Sequence, residues 1–240
     1  MLTYAEVRGD RQRFVALTGL TPPEFEPLVA AFARAYERLQ PADRTAAGRP
    51  RRRRAGAGRK GALPGPEQKL LFLLVYLKTY PLQALMAELF GLSQPGVNYW
   101  LRRLLPSLRD ALDELGALPE RDPRAFARAG PRPRLIIDGT ERRRQRPKTP
   151  EKQAAHYSGR KKVHCDRNVV VAESGSRRIG FLSRTRPGRS SDKGIADREG
   201  IAYPAGAVLY QDGGFQGYAP AGVKTRQAKK KAGRRRVDGG

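Results

Sequence analysis

The sequence has 240 residues but only one cysteine, Cys165, and two histidines. A single thiol forms no internal disulfide, which is typical of a protein that works in a reducing compartment. So few cysteines and histidines also argue against a zinc cluster or a histidine metal site. These counts exclude the disulfide-stapled and zinc-finger classes of protein.

Long apolar runs are scarce as well. The longest extends from Leu70 to Leu77 and has eight residues, whereas a membrane-spanning helix needs roughly 18. Residues 1–10 contain two acidic side chains and no apolar segment like that of a signal peptide. We therefore expect a soluble, cytoplasmic protein with no membrane partner.

Acidic residues are also few. The chain has 23 Asp and Glu residues against 48 Lys and Arg residues, which gives a formal net charge of +25. This excess predicts a polyanionic partner, and duplex DNA, with one phosphate charge about every 1.7 Å, is the commonest of these. An RNA-binding structural protein would also fit the charge. Because 39% of the residues are apolar, the chain can still form a folded core.

The pattern of residues 1–40 predicts a helical segment. Thr21 and Glu24 form a capping box around two prolines, a pattern that starts a helix. Apolar side chains then recur at helical spacing as far as Leu39. Residues 41–66 are instead rich in Ala, Gly, Pro and Arg, and they predict a flexible basic linker.

Residues 67–118 predict a second helical region. One helix carries the apolar run and ends at Tyr80, because a proline follows. A second helix is expected over residues 82–90 and a last one over residues 106–115, where apolar side chains line one face.

The central part of this region has the spacing of a helix-turn-helix. Ala87 suits a close helix crossing, Gly91 suits the turn, and Val97 suits packing of the second helix. Ser93 is placed to cap that recognition helix. Its exposed face would carry the candidate DNA contacts Gln94, Asn98, Arg102 and Arg103, which suit base edges and phosphates. The alternative is an ordinary helical hairpin with a solvated basic face.

After the proline-rich residues 116–133, the pattern changes from helix to strand. The apolar stretches predict a strand ending at Asp138, a hairpin turning at Ser174–Gly175, a helix starting near Asp192 and a strand ending at Asp212. This order is typical of an α/β domain. If the first and last strands are parallel neighbours, Asp138 and Asp212 can share a divalent ion such as Mg²⁺. The alternative is that each aspartate only begins a turn, because a glycine follows both.

Three stretches of this region resemble a known family. They read IIDGTERRRQRPKTPEKQAAHYSGRKKVH from residue 136, RPGRSSDKGIAD from residue 186 and LYQDGGFQGY from residue 209. In this order they resemble the DDE transposases of bacterial insertion sequences, of the insertion-sequence-five type. The resemblance extends over residues 67–223 and includes the helix-turn-helix. It implies a ribonuclease H-like catalytic domain, here over residues 132–223.

The resemblance also implies roles for individual residues. Asp138 and Asp212 match two catalytic carboxylates that hold Mg²⁺ or Mn²⁺ during DNA strand cleavage and transfer. The implied partners are double-stranded DNA at the element ends and target, and further copies of the chain in a homodimer or higher oligomer at the nucleoid. Four basic residues are candidates for holding DNA phosphates: Arg146, Arg160, Lys161 and Lys162. Asp192 matches an acidic position of the family, but helix capping explains it equally well.

The chain departs from the family at the third carboxylate, a Glu on a later helix. After Asp212 the only acidic residue is Asp238, within a basic tail expected over residues 224–240. Glu141, Asp197 and Glu199 are acidic, but none lies at the expected place, so we assign the role to none of them. We therefore expect a catalytic domain that is incomplete at its C-terminus, as in one reading frame or a remnant of a transposase. Alone it is expected to bind DNA and cleave it poorly.

The main alternative is a non-catalytic DNA-binding protein or regulator that uses only the helix-turn-helix of residues 67–115. Such a protein would not need Asp138 or Asp212. An RNA-binding structural protein likewise gives no reason for the paired DGTE and DGGFQGY motifs.

Overall fold

The computed structural model describes residues 1–41, 43–44, 48–50, 61–128, 134–176 and 178–227. The chain divides into two compact units, Met1–Leu118 and Pro119–Gly240. No helix in the described part of the chain combines the length and the apolar composition that a membrane span needs.

The first unit consists of helices. They are α1 (Tyr4–Val7), α2 (Arg11–Thr18), α3 (Pro22–Leu39), α4 (Gly65–Thr79), α5 (Gln83–Phe90) and α6 (Gln94–Glu114). The helical segment predicted for residues 1–40 is therefore three helices, and α3 begins with the predicted capping box of Thr21 and Glu24. The linker predicted over residues 41–66 includes residues 51–60, which lie outside the described residues.

One hydrophobic core joins the N-terminal helices to the later ones. Phe14 and Phe25 from the first helices are buried in the same cluster as Phe72 and Phe90. Gln68 of α4, 6% exposed, fixes the start of the chain with both ends of its amide. Its Oε1 accepts from the Tyr4 N–H at 2.8 Å, and its Nε2 donates to the Leu2 carbonyl at 2.9 Å. Both polar ends of this buried side chain are thus satisfied.

The helix-turn-helix forms as the spacing predicts. Gly91 ends α5 with φ of 62°, a left-handed conformation that favours glycine. Ser93 caps α6, because its Oγ accepts from the Gly96 N–H at 3.2 Å. Ala87 and Val97 are both buried where the two helices pack.

The separate last helix predicted over residues 106–115 is wrong, because α6 continues from Gln94 to Glu114. Pro106 lies inside this helix and on its exposed face. The buried stripe of Leu101, Leu104 and Leu108 continues past the proline. Packing of that stripe outweighs the hydrogen bond that proline removes.

The second unit is a mixed sheet with two helices. Its elements are β1 (Arg134–Arg143), α7 (Pro150–His156), β2 (Tyr157–Ser158), β3 (Val163–Glu173), β4 (Ile179–Leu182), β5 (Arg186–Pro187), α8 (Asp192–Glu199), β6 (Val208–Gln211) and β7 (Lys224–Gln227). Short 3-10 helices cover Phe126–Arg128 and Gly213–Phe215. The predicted hairpin at Ser174–Gly175 forms, since β3 and β4 are antiparallel, and the predicted helix start near Asp192 is that of α8.

Strand β1 lies at the centre of the sheet. It pairs antiparallel with β3 on one side and parallel with β6 on the other, and β7 continues the sheet parallel to β6. Strands β2, β4 and β5 all pair with β3. Helix α8 buries Ile195 and Ala196 in the core against one face of this sheet. The buried residues Leu135 and Ile137 of β1 line that same core.

Two strand predictions need correction. The strand expected to end at Asp138 continues to Arg143, because β3 still pairs with β1 beyond the point where β6 ends. The basic tail predicted from residue 224 begins with a strand, β7, whose backbone pairs with β6 whatever its side-chain charge. The remaining residues of that tail, including Asp238, lie outside the described part of the chain.

Candidate active site

The site is built where β6 ends beside the middle of β1. The two strands are parallel neighbours, and their last paired residues are Ile137 and Gln211. Asp138 and Asp212 come next on the two strands, which in a sheet lie about 4.8 Å apart. The condition for the predicted carboxylate pair, adjacent and parallel strands, is therefore confirmed. Both aspartates are exposed.

Each aspartate also has a local structural role. Asp138 Oδ1 accepts from the Gly139 N–H at 2.7 Å. Asp212 Oδ1 accepts from the Gly214 N–H at 2.9 Å and caps the 3-10 helix that follows. The turn that was the alternative role for these aspartates is thus present at Asp212. Asp212 also lies next to Asp138 on the neighbouring strand. The second carboxylate oxygen of each residue makes no hydrogen bond to any described residue.

A third carboxylate, that of Asp192 at the start of α8, lies against the backbone of Gly139 and Gly214, two glycines close to the two aspartates in the chain. Ser191 is the N-cap of this helix and Asp192 is its first residue, so the cap does not require the aspartate. A Cβ added to Gly139 would overlap the Asp192 carboxylate, and one added to Gly214 would lie 3.4 Å from its Oδ2. The bare backbone of both glycines therefore makes room for Asp192.

The electrostatics of Asp192 reflect this position. Burial raises the pKa of the Asp192 carboxyl, and the negative charges of Glu141, Asp212 and Asp138 raise this pKa further. The positive charge of Arg167 acts in the opposite direction. Asp192 is thus electrically coupled to both predicted catalytic aspartates, which sequence reasoning could not show.

The cation that faces Asp192 is Arg167 of β3, which sequence reasoning missed. Its guanidinium is buried, donates to Asp192 Oδ1 at 3.3 Å and pairs closely with the Glu141 carboxylate. The Nζ atom of Lys161 lies 3.2 Å from the other Glu141 oxygen. The sequence marks Arg167 only as an arginine within a predicted strand, between Cys165 and the apolar end of that strand.

A groove of about 740 Å³ extends from Asp138 and Asp212 along the open face of the sheet. Other residues that line it are Arg134, Ile136, Tyr210 and Arg226. Ile136 is 43% exposed there. Period-two alternation along β1 and β6 could have placed Arg134, Ile136 and Tyr210 on the same face as the two aspartates.

Comparison with protein-family models gives two matches, one in each unit of the chain. Residues 137–235 match the model described as DDE superfamily endonuclease. Residues 61–114 match the model described as helix-turn-helix of DDE superfamily endonuclease. The chain carries two domains of the DDE endonuclease superfamily. No curated protein and no solved structure matches it. The two domains together indicate DNA binding and cleavage of the kind that transposases perform.

Endonucleases of the DDE superfamily use divalent metal ions. The DDE domain should therefore offer the ligand atoms that such an ion prefers. Asp138 and Asp212 offer hard carboxylate oxygens, and divalent ions such as Mg²⁺ are often held by one or two carboxylates plus water and substrate phosphate. Within the described ranges, no three His, Cys, Asp or Glu side chains are grouped so as to hold one ion together. The pair therefore fits an ion with two protein ligands, and Asp192 lies outside direct three-ligand coordination.

The four predicted DNA contacts of the helix-turn-helix domain differ in their exposure to solvent. Gln94 and Arg102 are exposed on α6, whereas Asn98 is half-buried. Arg103 is also half-buried, because its Nε contacts the Tyr36 hydroxyl at 3.4 Å and its guanidinium lies over the Tyr99 ring. Tyr99 itself is 54% exposed.

The four basic residues predicted to hold phosphates in the DDE domain lie beside α7 and in the turn between β2 and β3. Arg160 and Lys162 are exposed in this turn. Lys161 is bound to Glu141, as described above. Arg146 is held by Gln153, whose Oε1 accepts from its Nε at 3.1 Å and from its Nη2 at 2.9 Å.

Proposed function

We propose that this chain is a transposase of a bacterial insertion sequence of the insertion-sequence-five type, or a part of one. In this proposal it binds the element ends and catalyses metal-dependent cleavage and transfer of DNA strands. The observation that carries the proposal is the parallel pairing of β1 and β6, which brings Asp138 and Asp212 side by side. The order of the central strands also supports a ribonuclease H-like fold, with antiparallel β4, β3 and β1 followed by parallel β6 and β7.

In the proposed mechanism, Asp138 and Asp212 would hold the divalent ion, Mg²⁺ or Mn²⁺. When bound, such an ion supplies the positive charge that activates water and stabilises the leaving oxygen of a phosphodiester. Arg146, Arg160, Lys161 and Lys162 orient the DNA by contacts to its phosphates. The face of α6 with Gln94, Asn98, Arg102 and Arg103 recognises the element end.

We also propose that the chain cleaves DNA only weakly by itself. Support comes from the absence, among the residues that the structure describes, of any three-ligand acidic group. A site with two protein ligands binds its ion less tightly and places it less strictly than a site with three.

The test uses the full chain, a DNA duplex that contains an element end, and Mg²⁺ or Mn²⁺. We expect specific DNA binding and slow 3′-end cleavage that Asp138→Asn and Asp212→Asn abolish without loss of DNA binding. Mn²⁺ binding, followed by electron paramagnetic resonance, should weaken in the same two variants. Asp197→Asn is the matched control, because Asp197 is exposed and its one ion pair within the described residues is with Lys193 of α8.

The second candidate is a non-catalytic DNA-binding regulator, and the missing three-ligand group is the observation that favours it. The two candidates differ in one result. If the chain binds DNA but neither Mn²⁺ binding nor cleavage responds to Asp138→Asn or Asp212→Asn, the regulator is correct.

A further inference from the structure

A second cavity lies on the DDE domain away from the two aspartates. Its volume is about 780 Å³, within the usual range for small-molecule sites. The residues that line it are Arg146, Pro150, Gln153, Ala154, Tyr157, Gly159, His164 and Arg189. We call it the aromatic pocket.

The aromatic wall of this pocket is fixed by strand pairing. Tyr157 of β2 pairs directly with His164 of β3. Their rings meet edge to face, with centroids 5.5 Å apart and an interplanar angle of 66°. Tyr157 nevertheless stays 42% exposed. A large aromatic ring that is held in place but left open to solvent is a suitable platform for stacking.

The rest of the pocket supplies cationic groups. Arg146 is anchored to Gln153, which in turn donates from Nε2 to the Pro147 carbonyl at 2.8 Å. Arg189 is held by its backbone, whose N–H donates to the Ala155 carbonyl at 3.0 Å. None of the described lining residues is acidic. Two arginines next to an aromatic ring match a ligand that has both a flat ring and a phosphate.

The distance from the aspartates relates this pocket to the DNA. Val170 of β3 lies opposite Asp138, and His164 lies six residues away along the same strand. At about 3.4 Å per residue the pocket is roughly 20 Å from Asp138. Because successive bases of a DNA strand rise by about 3.4 Å, this distance corresponds to about six nucleotides.

We infer that the aromatic pocket takes one unstacked base of the bound DNA, within about six nucleotides of the cleaved bond. Tyr157 and His164 stack on the base, and Arg146 and Arg189 hold its flanking phosphates. This inference rests on the proposed function, since it needs DNA in the DDE domain. It adds a site for a single extruded nucleotide, distinct from the residues that hold the metal ion.

The test compares fully paired duplexes with duplexes that carry one mismatched 5-iodouracil at each of the eight positions nearest the expected cleavage site. A mismatched base is easier to extrude than a paired one. We expect the full chain to bind one or two of the mismatched duplexes roughly fivefold or more tightly than the paired duplex. Ultraviolet light should then crosslink that iodouracil to Tyr157 or His164, as peptide mass spectrometry will show.

Variants at the ring make the test specific. Tyr157→Ala should remove the preference for the mismatch, while Tyr157→Phe, which keeps the stacking surface, should retain it. The crosslink in the unmodified chain does not depend on whether Tyr157→Ala folds. Binding to the paired duplex without mismatch preference and without this crosslink would overturn the pocket and leave the proposed function standing. Failure to bind any duplex would overturn both.

Discussion

Gly139 shows how closely the candidate active site is packed at the level of one residue. A Cβ at this position would overlap the Asp192 carboxylate, whereas a Cβ at the nearby Gly213 would have open space around it. Neither residue has the positive φ that would by itself require glycine. Glycine is therefore required at residue 139 by packing and not by backbone conformation, and neither requirement applies at residue 213.

We predict that Gly139→Ala destabilises the DDE domain by about 1–3 kcal/mol, the usual cost of overpacking a close contact. It should also weaken Mn²⁺ binding, because the displaced Asp192 carboxylate also adjoins Gly214, whose N–H holds the Asp212 carboxylate. Urea unfolding and Mn²⁺ titration would measure the two effects. Gly213→Ala is the control and should change the free energy of unfolding by less than about 0.5 kcal/mol. Equal effects of the two substitutions would contradict the close approach of Asp192.

Arg167 is the buried cation on which three charged side chains depend. It pairs with Glu141 and Asp192, and Lys161 completes the group through Glu141. Its Nε is buried and makes no hydrogen bond within the described part of the chain. A buried ion pair contributes little net stability, but removing one partner leaves an uncompensated charge behind.

We therefore predict that Arg167→Met destabilises the DDE domain by about 3–5 kcal/mol. Hydrogen exchange of the β1 and β3 amides would measure this change in the sheet separately from the helical unit. Adding Glu141→Gln to Arg167→Met should restore part of the loss, because it removes the uncompensated charge. Arg198→Met, at an exposed position on α8, should have an effect within about 0.5 kcal/mol.

At the scale of elements, the segment after β6 explains why the DGGFQGY motif has aromatic residues after its aspartate. Phe215 and Tyr218 are buried in the core of the DDE domain and so anchor the chain just beyond Asp212. The hydroxyls of Tyr218 and Tyr203 lie 3.0 Å apart. Burial raises the pKa of both phenols.

This pair predicts a loss of stability at alkaline pH. In the unfolded chain each phenol ionises near pH 10, whereas in the folded chain it keeps its proton to higher pH. The stabilising contribution is therefore complete below pH 10 or so and is lost as the pH rises above it, by at most about 1.4 kcal/mol per pH unit for Tyr203. Urea unfolding from pH 8 to 11 should show a steeper decline for the unmodified chain than for Tyr203→Phe/Tyr218→Phe. Parallel curves would contradict the prediction.

The sequence predicts the presence of a helix or strand better than it predicts the residue at which that element ends. Helix α6 passes through Pro106 because the apolar stripe on both sides of the proline packs on the same core. Strand β1 passes Asp138 because β3 continues to pair with it. In both cases a tertiary contact outweighs the local signal that predicted an end.

For the whole molecule, the net charge of +25 predicts steeply salt-dependent DNA binding. A chain that contacts about 6–10 phosphates should lose roughly 10³- to 10⁵-fold in affinity between 50 and 200 mM salt. Arg102→Gln, on the exposed face of α6, should reduce the slope of log K against log salt by about one. Arg38→Gln is the control, because Arg38 already pairs with Glu114 and should leave the slope unchanged. A flat salt dependence would show that the charge serves another partner.

Properties that depend on residue type and local spacing were determined by the sequence itself. The charge, the turn at Gly91, the cap at Ser93 and the presence of an aspartate after each of two apolar strands are all of this kind. The spacing placed the two aspartates side by side only on the condition that their strands were parallel neighbours. The sheet meets that condition through the register of β1 with β6.

The tertiary structure alone decided what surrounds that pair. Asp192 is 25 residues from Arg167 along the chain, and Arg167 is separated from Glu141 by 26, so no local pattern relates these side chains. Their contacts arise because α8 packs on the sheet and because β3 is antiparallel to β1 with Arg167 opposite Glu141. Register and helix packing set distances between residues far apart in the chain, and these distances depend on the whole core rather than on any one segment.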